Sequence, residues 1–141
     1  MLIDQGDLLW EMDHFFVTGF MAVSAKVHLE KDAVIFREGD KADYFYTLVE
    51  GRVRLTVGEP AKEVYTIDKA GEAFGWSSLV DRNYYSAGAE TVEPTFVLQF
   101  ERNALNQFLL AHAESTLIFY KRLAGMLGNR LIQCYKLIYP E

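Results

Sequence analysis

Cysteine, histidine and basic residues are scarce in this chain, and each scarcity argues against a class of protein. The one cysteine, Cys134, permits neither an intramolecular disulfide nor a multi-cysteine zinc site. The three histidines, His14, His28 and His112, are far apart in the sequence and do not predict a shared metal site. Lys and Arg number 14 against 20 Asp and Glu, for a net charge of −6. Because proteins that bind nucleic acid or anionic membranes generally present a basic face, we expect neither as a direct partner.

Long apolar runs are also missing. No segment is long enough to span a bilayer, and the N-terminus has acids where a signal peptide has basic residues, which predicts a cytoplasmic protein. The sequence contains neither a nucleophile elbow nor a phosphate-binding P-loop, and we do not expect an enzyme. What the chain does have is 141 residues, of which 50% are hydrophobic. That is enough for one domain with a sizeable core.

The spacing of apolar residues changes along the chain. Residues 1–24 have apolar side chains at helical spacing, and Gly19 is a candidate break in that helix. From Val27 onwards, apolar residues alternate in short runs that are separated by turn signals. This pattern predicts a small antiparallel barrel or roll over residues 25–101.

The last third of the chain returns to helical spacing. A short helix is predicted at 103–111 and a longer one from about 115 to 135, within a helical segment of 102–138. Together with the strands, these helices predict an α+β, mainly β fold. It is an antiparallel β-roll or jelly-roll barrel flanked by an N-terminal helix and a long C-terminal helix. We treat residues 1–141 as a single domain.

The long helix contains a heptad pattern, in which apolar residues alternate spacings of three and four. The residues of this seam are Leu117, Tyr120, Ala124, Leu127, Leu131, Cys134 and Ile138. Gly125 and Gly128 each lower helix propensity by about 1 kcal/mol relative to Ala, which close approach of another backbone would offset. The seam either packs on the chain's own barrel or pairs two chains, and the second alternative predicts a homodimer through residues 115–138.

Residues 71–89 lie between two strand patterns and form the candidate binding segment. Gly75 lets the backbone bend, and the residues after it can form one helical turn. The backbone N–H groups of Trp76, Ser77 and Ser78 are expected at the start of that turn as donors without a partner. Such donors favour an anion such as phosphate.

Three motifs and the order of the elements resemble the cyclic nucleotide-binding domain. The motifs are AVIFREGD (33–40), YTLVEGRV (46–53) and AGEAFG (70–75). The resemblance covers nearly the whole chain and implies a β-roll with family turn positions at Gly39 and Gly51. It places the start of a phosphate-binding cassette at Gly75. It also implies a regulatory module that binds a cyclic nucleotide, such as cyclic AMP or cyclic GMP, and signals through its long helix.

Two residues of the cassette depart from that family. In the family, a Glu that holds the ribose hydroxyl follows the cassette glycine, and Trp76 stands at this position. An Arg that holds the cyclic phosphate precedes a Ser/Thr-Ala pair. When Ser86 and Ala87 are aligned with that pair, Tyr85 takes the Arg position. A phosphate removed from water needs charge-assisted donors, which Arg supplies and Tyr does not.

Other residues of the segment leave alternatives open. Arg82 either substitutes for the missing arginine or is a solvated loop residue. Tyr84 and Tyr85 either stack on a ligand ring or cover the core, and Trp76 either lines a pocket or fills it. The serine hydroxyls lie near the expected anion site, although serines in turns commonly bond their own backbone. The candidate ligand-binding residues are Gly75, Trp76, Ser77, Ser78, Arg82, Tyr84, Tyr85, Ser86 and Ala87.

Two functions of different classes follow from these observations. The first is a regulatory module that senses a small molecule at residues 71–89 and transmits its state through the long helix. That molecule is either a cyclic nucleotide or another ligand that fits the altered cassette. The second is a degenerate domain whose pocket is plugged and which acts as a dimerisation or scaffold module. Regulators of the family usually have a DNA-binding segment after the long helix. None is recognisable in this sequence, so we do not expect the chain to read DNA.

Overall fold

Alternating apolar residues form two four-stranded antiparallel sheets in the computed structural model, which describes residues 6–139. The strands are β1 (Ala25–Leu29), β2 (Val34–Phe36), β3 (Tyr44–Glu50), β4 (Val53–Val57), β5 (Lys62–Ile67), β6 (Ala73–Phe74), β7 (Gly88–Thr91) and β8 (Thr95–Glu101). One sheet has the order β1-β8-β3-β6 and the other has the order β2-β7-β4-β5. The α+β, mainly β roll expected from the sequence is confirmed.

The roll has one core between its sheets and a second core beneath its helices. The inner core contains Tyr46, Phe74 and Val97. Successive side chains of a strand point to opposite faces, so the neighbouring Phe45 and Phe100 lie in the other core with the helices. Side chains on both faces of β3 and β8 are therefore buried.

Three α-helices and two 3₁₀ turns pack on the roll within the described residues. They are the 3₁₀ turn Gly6–Leu8, α1 (His14–Val23), the 3₁₀ turn Trp76–Leu79, α2 (Arg102–Leu110) and α3 (Ala113–Ile138). Helix α2 has the predicted length but begins and ends one residue earlier, whereas α3 extends beyond the predicted 115–135 at both ends. The carboxylate of Glu101 caps α2 by accepting hydrogen bonds from the N–H groups of Asn103 and Ala104 at 2.9 and 3.0 Å. These bonds lower the pKa of the Glu101 carboxyl group.

The helix expected over 1–24, with Gly19 as a candidate break, is only partly present in the described residues, and residues 1–5 lie outside the described range. The chain turns at Glu11, whose φ is 55°. Helix α1 begins only after Asp13, whose carboxylate accepts a hydrogen bond from the Phe16 N–H at 3.1 Å. Gly19, the candidate break, lies inside α1. A Cβ there would come within 2.5 Å of the Phe108 ring, so the glycine lets α1 and α2 pack closely.

One side of α3 packs on the roll and the other side is exposed. Phe119, Leu123 and Arg130 are buried. The predicted seam straddles the two sides: Tyr120, Leu127 and Cys134 are half-buried, whereas Leu117, Ala124, Leu131 and Ile138 are exposed. The seam therefore lies across the boundary between the packed and the exposed side of α3, with three of its seven residues half-buried and four exposed.

Candidate functional site

The segment between β6 and β7 makes the turn expected at Gly75. Its φ is 76°, and a Cβ there would lie 3.0 Å from the Tyr44 carbonyl oxygen, so conformation and space both require glycine. Ser77 and Ser78 are buried in the 3₁₀ turn that follows. The Ser78 N–H and O–H both donate to the Gly75 carbonyl oxygen, at 3.2 and 2.8 Å. The expectation that the Ser78 N–H lacks a partner is therefore wrong, and its hydroxyl bonds its own backbone.

Tyr85 occupies the interior of the roll beside this turn. It is 5% exposed, and its ring stacks on Phe36 with centroids 3.7 Å apart. Its hydroxyl donates to the Tyr44 carbonyl oxygen at 2.7 Å and accepts from the Tyr44 N–H at 3.1 Å. Burial is the main cause that raises the pKa of the Tyr85 hydroxyl. Of the two alternatives, Tyr85 covers the core, where it is a neutral group with both its bonds made.

Little space remains next to Tyr85. The cavity at the cassette measures about 30 Å³ and is lined by Phe36, Leu55, Phe74, Gly75, Trp76, Ser77, Tyr85, Ser86 and Ala87. A water molecule needs roughly 10–15 Å³, whereas small-molecule pockets measure about 300–1,000 Å³. Trp76 is half-buried and lines this cavity. The space inside the roll beside the cassette is thus filled by Tyr85 and Phe36, and Trp76 lines the small cavity that remains.

The other candidate residues of the segment lie at the surface. Arg82, Tyr84 and Ser86 are exposed. The Arg82 guanidinium carbon lies 5.7 Å from the centroid of the Trp76 ring, within the distance of a cation–π contact. The structure therefore brings Arg82 and Trp76 together on the outer side of the cassette. Tyr84 forms a β-bridge with Lys41.

Arg102 holds this loop in place and was missed by the sequence analysis. Its guanidinium donates to the carbonyl oxygens of Ala42, Val80 and Arg82 at 3.1, 2.9 and 2.8 Å. Arg102 is the first residue of α2, where a positive charge is unfavourable beside the helix dipole. That unfavourable placement was the available signal that this arginine serves another segment.

The strand that leads into the cassette is bonded directly to α3. The Ala73 N–H donates to Met126 Sδ at 3.2 Å, and the Ala73 carbonyl oxygen accepts from the Arg130 guanidinium. Met126 and Arg130 are one helical turn apart. Because β6 is the edge strand of its sheet, these two side chains satisfy backbone groups that a further strand would otherwise take.

Buried Arg130 and half-buried Glu72 and Tyr65 form a group that we call the Arg130 cluster. Arg130 is 7% exposed, and its guanidinium lies 3.6 Å from Glu72 Oε2 and 4.9 Å from the centre of the Tyr65 ring. The Tyr65 hydroxyl donates to the same carboxylate at 3.0 Å. Burial lowers the pKa of Arg130, an effect that the charge of Glu72 opposes, and burial raises the pKa of Tyr65. The cluster fastens the C-terminal half of α3 to the roll.

A family model described as the cyclic nucleotide-binding domain matches residues 26–112, which is more than half of the chain. The chain belongs to the cyclic nucleotide-binding domain family. The resemblance of the three motifs is thereby confirmed. Gly39 and Gly51, at the two expected turn positions, have φ values of 90° and 111°.

Solved structures share the fold of this cyclic nucleotide-binding domain. A cyclic nucleotide-binding domain from Methylobacillus flagellatus KT has a TM-score of 0.83 and 22% identity, over 99% of this chain and 79% of that one. The catabolite activator protein of Thermus thermophilus has a TM-score of 0.76 and 24% identity, over 94% of this chain and 62% of that one. At these identities the likeness establishes the fold alone.

One curated relative is an enzyme of much greater length. Lysophospholipase nte1 of Aspergillus fumigatus is 24% identical over 100 residues, which are 70% of this chain and 7% of that protein. The chain therefore spans a small part of the curated relative that it matches.

Within residues 6–139, no group of three or more His, Cys, Asp or Glu side chains is placed to hold a metal ion. None of the helices described in that range combines the length and the apolar character needed to cross a membrane.

Proposed function

We propose that this cyclic nucleotide-binding domain is a regulatory module that responds to a small molecule other than a cyclic nucleotide and transmits the response through α3. The observation behind this proposal is the burial of Tyr85, which leaves a cavity of about 30 Å³ at the cassette. A cyclic phosphate removed from water needs charge-assisted donors. The cassette segment offers only Arg82, which is exposed and lies over Trp76.

Calorimetric titration with cyclic AMP and cyclic GMP to millimolar concentrations tests the choice of ligand. We expect no saturable heat from the parent protein. The matched control is a Trp76→Glu, Tyr85→Arg variant, which restores the family residues and is used once its circular dichroism matches that of the parent. Saturable heat in the control alone would assign the difference to these two positions. Saturable heat in the parent would refute the proposal that the ligand is not a cyclic nucleotide.

We also propose that α3 pairs with α3 of a second copy. Leu117, Leu131, Tyr135 and Ile138 are 60, 52, 54 and 70% exposed along one side of the helix. Gly128 lies between them, and a Cβ built there meets nothing within 4 Å, so its own fold does not require glycine. A second helix in close contact would cover the apolar side chains and offset the roughly 1 kcal/mol of helix propensity that glycine loses.

Light scattering of a Leu131→Lys variant tests the pairing. We expect a dimer mass for the parent and a monomer mass for the variant, because a charge at this exposed position opposes a helix–helix contact. Leu127 is a poor choice because it packs partly on its own core. Leu110→Lys is the control, since Leu110 is 83% exposed at the end of α2 and its change should leave the mass unaltered. A monomeric parent at tens of micromolar would contradict the pairing.

A scaffold or dimerisation module without any ligand is the second candidate function, and the filled cassette favours it. The two functions differ in their response to small molecules. A ligand at 100 times its dissociation constant adds about 2.7 kcal/mol of stability, which raises the melting temperature by several degrees. A thermal-shift screen that finds no ligand at all would favour the scaffold.

A further inference from the structure

A cleft of about 760 Å³ lies outside the roll, beneath α3. One wall is the N-terminal 3₁₀ turn together with Trp10, which follows it. The others are the turn between β5 and β6, with Lys69 and Glu72, and one side of α3, with Gly125 and Met126. This volume falls within the range of small-molecule pockets, roughly 300–1,000 Å³. The cavity at the cassette, about 30 Å³, does not.

We propose that this cleft, and not the cassette, is the ligand site of the regulatory module, and that its ligand is a small organic anion with an aromatic or apolar body. The proposal rests on the proposed function and adds to it the place and the chemical class of the ligand.

The apolar part of the ligand is inferred from Trp10 and Met126. Both line the cleft, and 65% of the Trp10 surface is exposed. An exposed indole beside a thioether offers a flat apolar surface on which an aromatic ring can stack. Gly125 widens the same wall, because a Cβ built there meets nothing within 4 Å. Packing inside the domain therefore does not account for a glycine in the middle of this helix.

The negative charge of the ligand is inferred from which charged groups at the cleft already have an oppositely charged partner. Glu72 is fully engaged: Oε1 accepts the N–H groups of Asp68 and Lys69 at 3.2 and 3.1 Å, and Oε2 accepts the Tyr65 hydroxyl and faces Arg130. Its charge is thus balanced inside the Arg130 cluster.

Two cations remain at the cleft, the ammonium group of Lys69 and the guanidinium group of Arg122. Arg122 donates to carbonyl oxygens of the N-terminal turn, including that of Asp7 at 3.3 Å, and forms no ion pair with a carboxylate among residues 6–139. Among the described residues that line the cleft and lie outside the Arg130 cluster, the opposing charge is one exposed carboxylate, that of Asp7. The cleft therefore has a local excess of positive charge in a chain whose net charge is −6.

A ligand in this cleft would contact the residues that bond α3 to the cassette strand. Met126 lines the cleft, and its sulfur accepts the Ala73 N–H. Tyr65 and Glu72 also line it and hold Arg130, which donates to the Ala73 carbonyl oxygen. Movement of these side chains on binding would change how α3 lies on the roll. The response would then reach the exposed side of α3 without passing through the filled cassette.

The test titrates the full chain with 2-naphthoate, and uses 2-naphthamide and inorganic phosphate to represent the ring and the charge separately. We expect a saturable rise in melting temperature with naphthoate and none with the other two. Gly125→Leu places a side chain in the cleft without a clash against its own fold, and it should weaken naphthoate binding at least tenfold. Gly125→Ala is the matched control and should retain binding. Lys69→Gln should weaken binding severalfold.

A cassette variant locates the site. Trp76→Ala should leave the naphthoate shift unchanged, because Trp76 does not line the cleft. The proposal is overturned if naphthoate gives no shift, if naphthamide gives the same shift, or if the shift survives Gly125→Leu. These results are independent of the cyclic nucleotide titration, so failure of the cleft and failure of the proposed function are distinguishable.

Discussion

Replacing Arg130 with methionine tests whether the Arg130 cluster holds α3 on the roll. The variant keeps much of the apolar volume but removes the cation that lies 3.6 Å from the Glu72 carboxylate and the donor that serves the Ala73 carbonyl. Breaking a buried ion pair by removing one partner costs about 3–5 kcal/mol. Glu72 keeps three other hydrogen bonds, and the Nε atom of Arg130 has no partner in the parent. We therefore expect a loss near the lower end, about 3 kcal/mol of unfolding free energy.

A double-mutant cycle separates the ion pair from the packing of Arg130. Glu72→Gln removes the carboxylate charge but keeps an oxygen for the backbone N–H groups. In the Arg130→Met, Glu72→Gln double variant no charge is left unpaired. Its loss should therefore be smaller than the sum of the single losses by about 1–2 kcal/mol, within the usual range for contacting residues.

Urea unfolding at one protein concentration, followed by circular dichroism, gives the free energies and also shows whether the m-value changes. Lys121→Met on the same helix is the control. Because Lys121 is exposed, this variant should change the unfolding free energy by no more than about 0.5 kcal/mol. A loss below about 1 kcal/mol for Arg130→Met would refute the view that the cluster fastens α3. Additive single losses would refute the coupling of Arg130 to Glu72.

Three further predictions concern the roll and its first helix. Burial raises the pKa of Tyr85 in the folded state. The folding stability that this shift contributes is therefore fully present below the unfolded-state pKa of about 10 and decreases as pH rises from there towards the folded-state pKa. Tyr85→Phe should thus lose less stability than the parent between about pH 9 and pH 11 in urea unfolding, and parallel curves would contradict this. Gly51→Ala should cost about 3 kcal/mol or more of stability, because a Cβ there would lie 2.7 Å from the Thr95 Cα. Gly39→Ala should cost about 1–2 kcal/mol, because a Cβ there meets nothing within 4 Å and only the backbone conformation is unfavourable. Equal changes in melting temperature for the two variants would argue against a clash at Gly51. Asp13→Ala removes the cap of α1 and should cost about 1 kcal/mol, and an unchanged melting temperature would show that the cap is dispensable.

The order of the elements was predictable because the period of apolar residues reports local geometry. Phe45 and Tyr46 in β3 show this directly, since adjacent residues of one strand lie in two different cores. The break before α1 was not predictable from periodicity. Leu8 and Leu9 are buried without belonging to α1, so apolar spacing alone does not distinguish a 3₁₀ turn and a bend at Glu11 from a continuous helix.

The turn at Gly75 was predicted within residues 71–89 and is present there, whereas the sequence left open which residue fills the space beside it. Trp76 was expected either to line a pocket or to fill it, and Tyr85 either to stack on a ligand or to cover the core. In the structure the interior position belongs to Tyr85. The choice depends on register. Tyr84 forms a bridge with Lys41 and is 58% exposed, so the next side chain along an extended segment points inwards. A one-residue shift of that bridge would exchange the two tyrosines, and nothing in the local sequence fixes it.

The Arg130 cluster joins segments that are more than 50 residues apart in the chain, and no local pattern predicts such a pairing. A signal was nevertheless present. Arg130 lies seven residues after Leu123 and eleven after Phe119, a spacing that places all three on one side of a helix, and both apolar residues are buried. An arginine on the apolar side of a helix indicates a buried partner, and Glu72 in the motif before Gly75 was an available one.

The position of the buried cation bears on how this domain can signal. The family resemblance places an arginine inside the roll at the position of Tyr85, where a ligand would connect the cassette to the rest of the fold. Here the buried arginine is Arg130, and it bonds α3 to Ala73, two residues before Gly75. The connection between cassette and helix is therefore made by the protein itself. If the proposed function is correct, Arg130→Met should alter self-association through α3 as well as stability, because a helix released from β6 no longer presents its exposed side in one position.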